Sequence, residues 1–321
     1  MDVEKVAIFG ATGAIGAEVA AELRRQDRPY RVVARSAAAL ERAFGSDPLA
    51  ERMTWDPADP ASVEAAATGV TTIVYAVGVP YWQFDLHPVL MRATLAGAER
   101  AGAAKIVLIG NVYPYGLPLA ASIDETHSRE PHTFKGRMRK AQEDLVLEAD
   151  AAGRIRATIL RLPDFYGPNV EKSLIGDAFV AAAGGRRASV VGPLDGPRQY
   201  AFTPDIGRLA VAVADDPRAN GAAFNFAGSG TIGAREMIER IFSAAGSRPK
   251  LFVANKPILR GLGLFNPLLR ELVEMNYLQT TPVILDDSRL RGLLGDLRPT
   301  SYDDGIRISL AAARDLGRRA A

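Results

Sequence analysis

Two hydrophobic periods alternate along the first half of the chain. Short runs rich in β-branched residues at 6–9, 30–33, 53–55, 72–75, 106–109 and 157–160 fit strands. Each of the first five is followed by a stretch rich in Ala, Leu, Glu and Arg, at 15–25, 37–44, 62–67, 88–101 and 135–152, that reads as a helix. This alternation predicts an α/β protein with a Rossmann-type, doubly wound parallel sheet covered on both faces. Past about residue 168 the elements become shorter and less regular, with many Gly and Pro. A helix at 200–215 and a strand at 222–227 return to the sheet. The expected organisation is a Rossmann domain over 1–170, joined by 200–228, and a smaller C-terminal substrate-binding lobe from 171–199 and 229–321. The apolar stretch 257–280, broken by Arg, Glu and Pro, is read as a lobe or lid helix over a cleft rather than a membrane-surface helix.

The first strand runs into GATGAIG, with Gly10, Gly13 and Gly16 between strand and helix. Gly10 permits a tight turn, Gly13 lets the backbone approach a pyrophosphate, and Gly16 lets the helix pack against the strand. The helix N-terminus adds free N–H groups and the positive end of its dipole. Gly10, Thr12, Gly13, Ala14, Ile15 and Gly16 are therefore expected to bind a dinucleotide. After the second strand, where NAD sites carry an acidic residue for the ribose, stand Arg35 and Ser36. An arginine there would pair with a 2′-phosphate, so NADP(H) is the preferred cofactor, with NAD(H) the alternative. Asp56 after the third strand is placed for the adenine edge. Ala76 and Gly78 after the fourth are small enough to let the cofactor pass. Pro163, after the sixth, completes the expected cofactor set.

The sequence resembles the short-chain dehydrogenase/reductase superfamily, in its extended NAD-dependent epimerase/dehydratase branch. The resemblance rests on GATGAIG, IGNVYPYG at 109–116, RLPDFYGP at 161–168, RQYAFTPD at 198–205 and LGDLRPTSYDDGIRISL at 294–310, in the branch's order. It implies a Ser or Thr five residues before the Gly of V-Y-G, and a Y-x-x-x-K pair. Here the first position is Asn111. Lys140 matches the lysine, and Gly136 stands four residues before it, so the tyrosine is missing. That tyrosine would protonate the alkoxide left by hydride delivery. Asn111 is expected to donate a hydrogen bond to the substrate oxygen, and Lys140 to hold the cofactor. Tyr113, His132 and Asp164 are the substitute proton donors. Tyr81, Trp82, Tyr166 and Arg198 are expected on the substrate side, Arg198 at a position that contacts a nucleotide-sugar diphosphate.

Composition narrows the chemistry. With 39 Lys+Arg against 37 Asp+Glu the net charge is +2, so nucleic-acid binding by bulk charge is not expected. There is no cysteine, which excludes disulfides, thiolate metal sites and Cys nucleophiles. The three histidines lack metal-ligand spacing. No signal peptide or membrane-spanning run is read, and the expectation is a soluble cytoplasmic protein. The helices at 88–101 and 135–152 correspond to a dimer interface common in the superfamily, so a homodimer is expected. Two function classes compete. The preferred one is an atypical oxidoreductase or epimerase/dehydratase acting on a small carbonyl or hydroxyl substrate. The other is an NmrA-like regulator that holds the dinucleotide without turnover. A non-redox lyase or isomerase on the same fold is a third reading.

Overall fold

The structure is a computed structural model and describes residues 5–168, 170, 173–295 and 298–320, the last five by backbone alone. Residues 1–4, and residues 296–297 of the closing motif, lie outside the described residues. The strands are β1 Val6–Phe9, β2 Tyr30–Ala34, β3 Ala50–Thr54, β4 Thr72–Tyr75, β5 Lys105–Asn111, β6 Arg156–Leu162, β7 Asp164–Tyr166, β8 Ala188–Val191, β9 Pro197–Phe202, β10 Ala222–Asn225, β11 Thr231–Gly233 and β12 Leu251–Ala254. The helices are α1 Ala14–Arg25, α2 Ala37–Phe44, α3 Pro60–Ala67, α4 Leu86–Arg100, α5 Phe134–Ala151, α6 Gly176–Ala183, α7 Thr203–Asp215, α8 Ala234–Ala244, α9 Lys256–Leu262, α10 Pro267–Met275, α11 Tyr277–Thr280, α12 Ser288–Leu294 and α13 Tyr302–Ala320.

Seven strands form one sheet in the order β10-β6-β5-β4-β1-β2-β3, and every pairing in it is parallel. All residues of β1, β2 and β4 are buried, as a sheet covered on both faces requires. One face packs against α1, α2 and α7 through Val19, Leu23, Leu40, Ile206 and Leu209. The other packs against α3, α4 and α5 through Val63, Met91, Leu95 and Val146. Strand order reverses between β1 and β4, which opens a crevice at the carboxyl ends of these strands.

The doubly wound α/β architecture is the expected one. Three boundaries moved for identifiable reasons. The third strand runs over Ala50–Thr54 rather than 53–55, and Trp55 leaves it to set its ring edge-on to Phe9 at 4.6 Å. The helix expected from residue 200 begins at Thr203, because residues 200–202 finish β9 and Pro204 fits the first helical turn. The 257–280 stretch is three helices, α9 to α11, broken after Leu262 and at Asn276.

The later segments build a three-stranded sheet, β11-β9-β7, and a β8–β12 pair. Phe179, Met237, Ile241 and Leu310 join α6, α8 and α13 in a separate core there. Helix α10 reaches back to the sheet domain, where it meets the short helical turn Tyr81–Gln83 and the start of α5. The crevice therefore has a glycine turn at one end and α10 over the other.

Candidate active site at the carboxyl ends of the sheet

The glycine turn is formed by backbone alone. Gly10 has φ +90°, and a Cβ there would lie 2.7 Å from the carbonyl oxygen of Ala76. A Cβ on Gly16 would lie 2.4 Å from the carbonyl oxygen of Gly10. Both positions exclude a side chain. Gly13 differs: its only close neighbour would be the Gly10 oxygen at 3.3 Å, and it is exposed. Gly13 also starts α1 with no side-chain cap, so the first N–H groups of the helix face the crevice without a protein acceptor from a capping side chain. Thr12 is exposed beside it, and Ala14 and Ile15 are half-buried. An uncapped helix start behind a bare backbone is the cradle a pyrophosphate fits. The residues present thus suit the dinucleotide that the turn implies.

The ends of β2 and β3 are equally open. Arg35 follows the last residue of β2, is exposed, and forms no ion pair or side-chain hydrogen bond among the described residues. Ser36 caps α2 by accepting from the Ala39 N–H at 3.2 Å. Asp56 is exposed, and its Oδ1 accepts from Ala58 N–H at 2.9 Å. Ala76 donates its N–H to the Phe9 carbonyl, and nothing lies within 4 Å of a Cβ on Gly78. Pro163 is buried between β6 and β7.

The reacting end is made of side chains. Asn111 ends β5, and its Oδ1 accepts the Tyr113 N–H at 3.1 Å, which leaves the amide hydrogens to donate. The Tyr113 and Tyr81 hydroxyls are 2.8 Å apart. Burial raises both phenols above their ordinary value, and the nearby Asp164 carboxylate adds to the effect. Both stay protonated at neutral pH. Asp164, at the start of β7, is pushed up to about 7 by burial, and its Oδ2 has no hydrogen-bond partner among the described residues.

Helix α5 decides which cations reach this cleft. Glu143, two turns into the helix, is buried and makes a two-pronged pair with the buried Arg161 of β6, at 2.8 Å and 3.2 Å. Arg161 also donates to the Tyr115 hydroxyl, which donates in turn to Asn225. This pair fixes the helix's rotation. The residues four and eight positions before Glu143 share its face, and they are Arg139 and Lys135. Arg139 is buried and donates to the Ile109 carbonyl at 2.9 Å, with His87 Nδ1 at 3.3 Å. Desolvation and Arg139 push His87 down to about 2, so it stays neutral. Lys135 is 1 % exposed, with its Nζ 6.0 Å from the Tyr81 ring centre and 5.8 Å from that of Phe84.

Lys140 points elsewhere. It donates to Asp144 at 2.6 Å, and Asp144 also pairs with Arg129. Nor can position 136 hold the side chain that the Lys140 register requires. A Cβ on Gly136 would lie 2.5 Å from Pro131 Cβ and 2.8 Å from the Tyr113 carbonyl oxygen. The four-residue spacing that faces the cleft is therefore Lys135–Arg139, one residue earlier than the spacing read from the sequence. The signal was the pair Glu143 and Arg161, since two opposite charges buried together fix a helix face. Sequence spacing alone does not say that they meet.

The remaining expected residues are distributed unevenly. Tyr81 lines the cleft, whereas Trp82 is 55 % exposed on the same short turn. His132 is exposed, with its ring 4.6 Å from Tyr277 of α11. Tyr166 packs in the lobe core against Phe179, Phe202 and Tyr302 rather than facing the cleft. Arg198 is buried and donates to the carbonyls of Pro193, Pro197 and Gln279 and to the Gln279 side chain. Its guanidinium thus ties α11 to the lobe. Among the described residues no cluster of three or more acidic or histidine side chains is poised for a metal, and no helix is long and apolar enough to cross a membrane.

Comparison with known proteins bears on the family and the fold. The sequence profile of the NAD dependent epimerase/dehydratase family matches residues 6–227. A dTDP-6-deoxy-L-talose 4-dehydrogenase (NAD(P)(+)) of Kitasatospora kifunensis is 28 % identical over 256 residues, which is 75 % of this chain and 79 % of that protein. Among solved structures, a UDP-glucose-4-epimerase from Stenotrophomonas maltophila with bound NAD and formylated UDP-arabinopyranose superposes with a TM-score of 0.80 at 19 % identity, covering 98 % of this chain and 99 % of that one. A dTDP-glucose 4,6-dehydratase from Streptomyces venezuelae with NAD and TYD bound superposes with a TM-score of 0.80 at 17 % identity, covering 97 % of each chain.

Proposed function

Because the chain belongs to the NAD dependent epimerase/dehydratase family, we propose that it is an NADP(H)-dependent oxidoreductase or epimerase/dehydratase working on a carbonyl or hydroxyl carbon of a nucleotide-linked sugar. One observation carries the reading. The glycine turn of Gly10, Gly13 and Gly16 follows β1, and Tyr81, Asn111, Tyr113 and Asp164 follow or end the neighbouring strands β4, β5 and β6, so all lie at the carboxyl ends of one parallel sheet. The similarity to a dTDP-sugar dehydrogenase, and to epimerases and dehydratases seen with nucleotide sugars or nucleotides, supports the substrate class.

The backbone N–H groups at the start of α1 would hold the pyrophosphate, with Thr12, Ala14 and Ile15 beside it. Ala76, Gly78 and Pro163 would wall the nicotinamide half, and Asp56 would meet the adenine edge. When bound, the nicotinamide supplies or accepts hydride. The Asn111 amide orients the substrate oxygen by hydrogen bonding, in the manner of an oxyanion hole. The Tyr81–Tyr113 pair stays protonated and donates hydrogen bonds within the cleft. Asp164 changes from donor to acceptor near neutral pH, which suits contact with a second substrate hydroxyl.

Arg35 supports the NADP(H) preference, since its unpaired guanidinium stands at the end of β2 beside the start of α2. A charge-assisted contact of this type contributes about 1.5–3 kcal/mol, or roughly ten- to a hundredfold in affinity. Titration with NADPH and separately with NADH, read by tryptophan fluorescence, tests the reading. Trp55 beside Asp56 provides the signal. We expect NADPH to bind at least about tenfold tighter, and Arg35→Ala to remove most of that difference. Equal affinities would reject Arg35 as the phosphate reader, and no binding of either would reject the dinucleotide reading. The proposal includes a homodimer through α4 and α5 in the cytoplasm, and sedimentation velocity of the purified chain tests the dimer.

A further inference from the structure

We infer that Lys135 is the proton donor and acceptor of this site, and that Glu271 and Glu274 of α10 form a latch that holds its amine until the lobe opens. The inference rests on the oxidoreductase reading above. Hydride chemistry at a carbonyl needs a proton carrier near the end of β5. The phenols there are unsuited, because burial raises Tyr81 and Tyr113 and their hydroxyls already bind each other. Position 136 excludes any side chain, and Lys140 is turned toward Asp144. Lys135 is the remaining group on the cleft face of α5 that can release a proton, since Arg139 stays charged.

The surroundings of Lys135 suggest a gated group. Its Nζ contacts Glu274 Oε2 at 2.9 Å and Glu271 Oε2 at 2.5 Å. Glu274 also accepts the backbone N–H of Phe134 and, at 3.4 Å, that of Lys135. One carboxylate thus caps α5 and holds the amine together. The two glutamates are about a quarter exposed while the lysine is sealed, so solvent and substrate reach Nζ only when α10 moves. In reduction, the carbonyl carbon gains a hydride with two electrons drawn from a reduced nicotinamide. The carbonyl oxygen gains the Nζ proton, so an N–H bond breaks and an O–H bond forms. The neutral amine recovers its proton from water when the latch opens. Oxidation runs the same exchange backwards.

The test separates this role from lid anchoring. Lys135→Arg keeps the charge and the ion pairs but cannot release a proton. With dTDP-6-deoxy-L-talose and NADP+, Lys135→Arg and Lys135→Ala are expected to lower kcat by at least about a hundredfold, with ethylamine partly restoring the alanine variant alone. Cofactor Kd should stay within about threefold in both. Near-normal kcat in Lys135→Arg would overturn the inference. If the wild-type chain leaves this sugar untouched, the substrate reading fails by itself, and labelling decides the role of Lys135. Acetic anhydride should then acetylate Lys135 at least about tenfold more slowly than Lys140, and Glu271→Gln with Glu274→Gln should bring the two rates together. Saturating NADPH should protect Lys135 in that double variant, whose fold is checked by circular dichroism. Absence of protection would place Lys135 away from the reacting centre and overturn the inference.

Discussion

The two ends of the crevice are built from different materials. The phosphate end is backbone: three glycines and an uncapped helix start. The reacting end is side chain, with Asn111, two phenols, Asp164 and the inner face of α5 under the carboxylates of α10. A backbone site is specified by where side chains are absent, and that shows in spacing. A side-chain site is specified by which way a helix is turned, and rotation depends on partners distant in sequence. The first kind of site tolerates divergence around it. The second can change its chemistry by exchanging residues on one helix face.

The largest effect is expected at the phosphate end. Gly13→Asp has room for its Cβ, which would approach only the Gly10 oxygen, so the fold should persist. The carboxylate would stand where phosphate belongs, and NADPH affinity should fall by at least about a hundredfold. Gly16→Ala at the neighbouring position should instead lower thermal stability, because its Cβ would press into the Gly10 carbonyl. If Gly13→Asp bound NADPH normally, the two ends would not differ in the way described.

Next comes the pair that turns α5. Glu143→Ala leaves the Arg161 guanidinium buried without its carboxylate and should cost about 3–5 kcal/mol, seen in chemical denaturation. If the pair sets the register, Glu143→Gln should lose less stability but more turnover, because the helix face relaxes. The element alternation, the glycine turn and the position of Asn111 were legible in sequence, since each depends on local period and spacing. The register of Lys135 was not. It depends on Glu143 meeting Arg161 across 18 residues and on Gly136 closing against Tyr113, neither of which leaves a local pattern. Arg198 and Tyr166 were legible as motif positions, but their surroundings in the lobe were not.

A smaller effect separates Asp164 from the phosphate end through pH. Its folded value is about 7, above the unfolded value of about 4. Between those values the folded chain holds a proton that the unfolded chain has lost. Stability is therefore complete below about pH 4, falls as pH rises through about 7, and then levels off. The contribution is as much as about 4 kcal/mol. Asp164→Asn should flatten this stretch of the melting-temperature profile while leaving the cofactor Kd unaltered. An unchanged slope would mean that Asp164 is solvated rather than buried.

The smallest expected effect is the sharpest test of the reacting end. Lys140→Ala removes an ion pair with Asp144 within one helix, with the lysine 36 % exposed. Pairs of this kind are worth about 0.3–0.5 kcal/mol. Asp144 retains Arg129, so little charge is left unbalanced. Turnover should fall by less than about threefold, and NADPH affinity should be unchanged. The family spacing read directly from the sequence requires the opposite, a loss of at least about tenfold, because Lys140 would then hold the cofactor. A large loss in Lys140→Ala with normal activity in Lys135→Arg would mean that α5 turns on substrate binding and that the Glu143–Arg161 pair does not fix it. A small loss with an inactive Lys135→Arg would mean that the buried pair, and not the motif spacing, determines which amine does the chemistry.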